Sequence, residues 1–167
     1  CTGSGMENFS KLGDSIAYTD GRRIYLEQYL SCVIQAGKTT IKLSCNFPLS
    51  DGGTIEVRGE GEALLALRIP DWADGEIELI INGRKLPPLE INEHILVAIK
   101  AGETLSFHIP LTVTMHGLPD GKDAFAFRYG GAVLSADLGT EDMEETETGV
   151  DVTIPARKHL ESERVYF

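Results

Sequence analysis

Apolar and polar residues alternate along most of this chain with a period of two, the period of a β-strand with one buried face. Thr39 to Pro48 puts Ile41, Leu43, Cys45 and Phe47 on one side and Lys42, Ser44 and Asn46 on the other. Thr104 to His116 carries the longest alternation, Leu105, Phe107, Ile109, Leu111, Val113 and Met115. Pro110 in its middle implies an edge position, a bend or a bulge, because proline offers no N–H to a ladder. Further strands are predicted over Arg23 to Ile34, Thr54 to Arg58, Leu64 to Ile69, Glu76 to Ile81, Ile95 to Ile99, Ala124 to Tyr129 and Ala132 to Asp137. Turn signals separate them: Asp20-Gly21, Ala36-Gly37-Lys38, Asp51-Gly52-Gly53, Asn82-Gly83, Ala101-Gly102-Glu103, Pro119-Asp120-Gly121 and Gly130-Gly131. About eight or nine short strands at this spacing predict an all-β fold, an antiparallel β-sandwich, with a small barrel as the alternative.

Helical spacing occurs once. Met6, Phe9 and Leu12 recur at helical intervals inside residues 5–15, and Gly13 would stop the helix. The far end differs from both patterns. Acids crowd together from Glu141 to Glu147 without apolar periodicity and read as a solvated linker. One further strand, Val150 to Ile154, precedes a mixed-charge end that packs back on the sandwich or against other parts of a larger protein. The predicted division is a short N-terminal segment over 1–20, a β-sandwich over 21–140 and an acidic linker and tail over 141–167.

Charge narrows the partners. The net charge of −11 over 167 residues argues against nucleic acid and anionic membranes, which need a basic face. No apolar run approaches the roughly 20 residues of a membrane helix. Neutral sugars remain compatible with this surface. Three cysteines, Cys1, Cys32 and Cys45, are an odd number and no complete disulfide framework. Cys32 and Cys45 lie in apolar segments and read as small buried hydrophobes.

The first fifteen residues hold the one dense group of reactive side chains beside glycines. Cys1 is the candidate nucleophile or zinc ligand, since both roles need a thiolate. Glu7, Asn8, Lys11 and Asp14 supply polar groups near it, though a polar helix face and a helix stop account for them better. No CxxC, HExxH or GxSxG pattern supports a local metal or hydrolase site. Gly3-Ser4-Gly5 is not a phosphate loop, because no lysine of that motif follows. His108 and His116 fall on the outward side of their strand. Trp72, in a Pro-Asp-Trp loop, would either stack on a sugar ring or cap the end of the core, and capping weighs more.

The run Cys1-Thr2-Gly3-Ser4-Gly5-Met6-Glu7-Asn8-Phe9-Ser10-Lys11-Leu12-Gly13-Asp14-Ser15-Ile16 resembles a motif of bacterial glycoside hydrolase family 127, the β-L-arabinofuranosidase-like proteins formerly called a domain of unknown function. Four later stretches resemble that family in the same order: Ile24 to Leu30, Leu67 to Ala73, Ile80 to Gly83 and Phe127 to Leu134. The resemblance implies a catalytic (α/α)6 barrel followed by β-sandwich domains. This chain, which opens on a cysteine, would then be the end of a barrel and the sandwich behind it. Its main partner would be the missing barrel of the parent. The resemblance also implies a zinc-bound cysteine nucleophile in the parent, with Cys1 in that role and as a zinc ligand. Zinc would belong to the intact parent, and no cofactor is expected for this chain alone. Thr2 departs from the family pattern, which often has a second cysteine there. The expected function is an accessory sandwich of a furanoside-cleaving glycoside hydrolase, inactive by itself. The alternatives are a carbohydrate-binding module for a plant oligosaccharide, with Trp72 or Tyr129 as the stacking ring, and a partner-binding structural domain.

Overall fold

In the computed structural model, residues 2–11, 13–117, 119, 125–136, 143–146, 149–152 and 165–166 are described. They form two compact units, 1–112 and 113–167.

The first unit starts with helix α1 (Thr2–Ser10). Ser10 ends it by turning its hydroxyl back to the carbonyl of Glu7 at 2.8 Å. Eleven strands follow: β1 (Ala17–Thr19), β2 (Arg23–Leu26), β3 (Cys32–Ala36), β4 (Thr39–Cys45), β5 (Gly52–Arg58), β6 (Glu62–Arg68), β7 (Glu78–Ile81), β8 (Arg84–Leu86), β9 (Leu89–Ile91), β10 (His94–Lys100) and β11 (Thr104–His108). They build two sheets, of order β1-β2-β6-β10-β9 and β3-β4-β5-β11-β7-β8. All neighbours run antiparallel except β2 and β6, which are parallel. The fold class read from alternation is therefore the one observed, and the two sheets enclose a single core.

The five-stranded sheet contributes Leu26, Leu65, Leu67, Ile95, Val97 and Ile99 to that core. The six-stranded sheet contributes Ile41, Leu43, Ile55, Val57, Leu79, Leu105 and Phe107. No polar side chain is buried among the described residues. Hydrophobic burial thus carries the sandwich. Truncating Leu65, which is fully buried, to alanine costs about 2–5 kcal/mol.

Three strand boundaries differ from the sequence pattern. Arg23 to Ile34 is not one strand: β2 lies in one sheet and β3 in the other, and residues 27–31 cross between them. Tyr29 is buried in that crossing and Leu30 is exposed, so the alternation slips phase without any glycine or proline to announce it. Gly52 and Gly53 lie inside β5, not in a turn. A side chain on Gly53 would sit 2.6 Å from the Ser44 carbonyl and 2.7 Å from the Phe107 ring, so glycine here serves close packing. The long alternation around Pro110 is broken: β11 ends at His108 and the next strand begins at Val113. Pro110 falls between the two, in neither strand.

The second unit contains a three-stranded antiparallel sheet of β12 (Val113–Gly117), β13 (Phe125–Tyr129) and β14 (Ala132–Val133). Val113, Met115, Phe125 and Phe127 share one face of it and are all exposed. Further on, β15 (Ser135–Ala136) pairs with β18 (Val165–Tyr166), and β16 (Met143–Thr146) with β17 (Gly149–Val152). Part of the acidic stretch read as a linker is thus a strand in a hairpin.

Candidate functional site

Cys1, the candidate nucleophile and zinc ligand, lies outside the described residues. The polar residues near it, Glu7, Asn8, Lys11 and Asp14, are exposed. Lys11 and Asp14 form a surface ion pair at 3.5 Å. Among the described residues no group of three or more His, Cys, Asp or Glu is gathered where a metal ion could sit.

Cys32 and Cys45 are free thiols on β3 and β4, both half-buried and turned toward the core. Burial pushes both thiols above the ordinary range, which disfavours the thiolate. Cys45 Sγ also donates to the Tyr29 carbonyl at 3.1 Å. These are packing residues, as their apolar setting in the sequence indicates.

Trp72 is half-buried against the core, its ring centroid 5.6 Å from that of Phe47. Phe47 is in turn 5.8 Å from Tyr29 and 6.4 Å from Phe107. The four rings close one end of the sandwich. Tyr29 anchors the group by donating its hydroxyl to the Arg68 carbonyl at 2.6 Å. Tyr129, the other candidate ring, is half-buried on β13 opposite Val113.

The two sheets differ sharply on their outward faces. The six-stranded sheet shows solvent a mostly polar surface: Ser44, Thr54 and Ser106 stand in one row that ends on Ile80, with Lys42 and Glu56 beside them and Val33 opposite Lys42. Arg58, by its hydrogen bond, and Lys42 hold the Glu56 carboxyl below its usual range. His108 lies on this face too, 2.9 Å from Asp51.

The five-stranded sheet carries an apolar row across its outward side as well. Tyr18, Tyr25, Ala66, Leu96 and Leu89 form one continuous outward row, each opposite the next. Ala66 is 0% exposed although it faces away from the core. Its strand reads Ala63-Leu64-Leu65-Ala66-Leu67, and β10 reads Ile95-Leu96-Val97-Ala98-Ile99. Unbroken apolar runs are the mark of strands covered on both faces.

Polar groups border this row. Asp20 accepts from the backbone N–H of Arg23 and of Arg22, which holds its carboxyl low, and takes the Tyr25 hydroxyl at 3.1 Å. Beyond Tyr25, His94 Nε2 meets Glu27 Oε1 at 2.8 Å. The sequence motifs did not single out His94 or Tyr18, and Glu27 entered only as a member of the stretch Ile24 to Leu30. The uninterrupted runs in β6 and β10 were the available signal.

Residues 23–111 match the family model described as β-L-arabinofuranosidase, GH127 middle domain. No curated protein sequence matches the chain. Among solved structures, Ara127N-Se, a GH127 β-L-arabinofuranosidase from Geobacillus stearothermophilus T6, superposes with a TM-score of 0.69 at 21% identity. That match covers 78% of this chain and 23% of the other. The GH127 β-arabinofuranosidase BT3674 gives 0.57 at 17% identity, covering 71% and 23%. A further glycoside hydrolase gives 0.61 at 16%, covering 71% and 22%. At these identities the superpositions show a shared fold. The chain spans less than a quarter of the length of these solved relatives.

Proposed function

The chain belongs to the GH127 β-L-arabinofuranosidase family, whose middle domain it carries, and from that premise we propose that it is the accessory β-sandwich of a furanoside-cleaving glycoside hydrolase, inert by itself. In this reading the sandwich buttresses a catalytic domain supplied by the rest of a longer polypeptide. The observation that carries it is the outward row Tyr18, Tyr25, Ala66, Leu96 and Leu89. A sheet built apolar on both faces stabilises most when a second layer covers it. The outward face of the six-stranded sheet is mostly polar, with only Val33 and Ile80 apolar among the described residues of its strands, so in this reading the docking side is the five-stranded one.

The test is an assay of the purified chain on aryl arabinofuranosides, beside the longer protein of the same gene. The expected outcome is no turnover by the chain and turnover by the longer protein. Turnover by the chain above the uncatalysed rate would overturn the claim of inertness.

A further inference from the structure

We infer that Asn82-Gly83 is a site of spontaneous covalent modification, an intramolecular deamidation whose rate is set by the Glu103 carboxylate. The pair forms the whole loop between β7 and β8, because Ile81 is registered opposite Arg84. Asn82 has φ 52° and Gly83 φ 76°, the left-handed geometry of a two-residue hairpin turn. Both residues are exposed. A side chain at Gly83 would meet nothing within 4 Å, so there is open space beside the residue whose backbone nitrogen must attack. The loop is also weakly held. Strand β8 is three residues long, sits at the sheet edge and pairs with β7 alone. Local opening of such an end costs little and lets the backbone leave its turn geometry for the attack.

Glu103 opposes that step. Its Oε1 accepts from Asn82 Nδ2 at 3.0 Å, and its Oε2 accepts from the Lys100 backbone N–H at 3.0 Å. The carboxylate is thus fixed by its own turn and pins the amide to the neighbouring loop. Release of that hydrogen bond precedes ring closure.

The chemistry needs water and no other reagent. The Gly83 nitrogen bonds to Asn82 Cγ, the Cγ–Nδ2 bond breaks, and ammonia leaves with the proton from Gly83. Water then opens the succinimide at either carbonyl, giving aspartate or isoaspartate. Both products replace a donor to Glu103 with a carboxylate. The iso product also routes the main chain through an extra methylene, which a two-residue loop cannot absorb while Ile81 stays opposite Arg84.

The folded chain is aged at mildly alkaline pH, digested, and its peptides are read by mass spectrometry, with isoaspartyl methyltransferase labelling of the iso product. Asn92 is the internal control: it also has positive φ, 56°, but is followed by Glu93. The expected result is conversion at Asn82 several times faster than at Asn92. Glu103→Ala is expected to speed it severalfold further, and Glu103→Gln, which keeps an acceptor oxygen, to stay near the wild-type rate. Conversion at Asn82 no faster than at Asn92 would overturn the site, and equal rates in all three proteins would overturn the role of Glu103.

Discussion

His94 and Glu27 join the start of β10 to the segment after β2, with Nε2 2.8 Å from Oε1 and their side chains only 20% and 26% exposed. The Tyr25 ring stands edge-on to His94, 86° from its plane at 5.5 Å. A pair this sheltered is screened less than a surface pair. A double-mutant cycle with Glu27→Gln and His94→Ala, read by urea denaturation, is expected to give a coupling of about 1 kcal/mol. Additive single-mutant effects would show that the contact contributes nothing.

Gly53 and Gly37 separate two costs of adding a methyl group. At Gly53 the methyl collides with the Ser44 carbonyl and the Phe107 ring, so Gly53→Ala is expected to cost about 2–3 kcal/mol. At Gly37 there is open space but φ is +61°, so Gly37→Ala is expected to cost about 1 kcal/mol. Thermal melts of the two variants rank them directly. Equal losses would mean that β5 yields to the methyl group.

Tyr29 makes stability fall at high pH. Burial pushes its hydroxyl well above the ordinary value of 10.0. The folded state therefore keeps the neutral form where the unfolded chain ionises. The stabilisation is complete below about pH 10 and is lost as pH rises further. Tyr29→Phe is expected to cost about 1 kcal/mol at neutral pH through the lost bond to the Arg68 carbonyl. In alkaline denaturation series the gap between the two proteins should narrow above pH 10. A constant gap would place the Tyr29 hydroxyl in contact with water.

Trp72→Ala tests the ring cluster. Losing the contact with Phe47 from a half-buried site is expected to cost about 2 kcal/mol, and near-ultraviolet circular dichroism should lose its aromatic signature. A variant as stable as the parent chain would release Trp72 for a role at the surface.

What the sequence disclosed follows from where periodicity is clean. The antiparallel pairs β4–β5 and β5–β11 alternate strictly, so their core positions Ile41, Leu43, Ile55, Leu105 and Phe107 were readable one residue at a time. Asn82-Gly83 marked its hairpin because few residues other than Asn and Gly tolerate two successive positive φ angles. The crossing at residues 27–31 was hidden, since Tyr29 and Leu30 are both apolar and only one of them is buried. Of the proposed site residues, Trp72 packs partly against the core beside Phe47, in the Pro-Asp-Trp loop that the sequence weighted toward a cap. The His94–Glu27 contact was not legible, because it joins elements far apart in sequence and His94 belongs to no motif.

The parallel pairing of β2 with β6 dictates an order of assembly. Its two members are separated along the chain by all of β3, β4 and β5, whereas β3–β4 and β4–β5 are joined by short turns. Closing the long loop costs entropy that the short ones do not. The β3–β4–β5 meander is therefore the natural nucleus of this unit. The strand that follows the N-terminal helix takes its place late, once β6 has a partner surface to offer. Anything fused ahead of residue 17 is then tied to the last-formed edge of the five-stranded sheet.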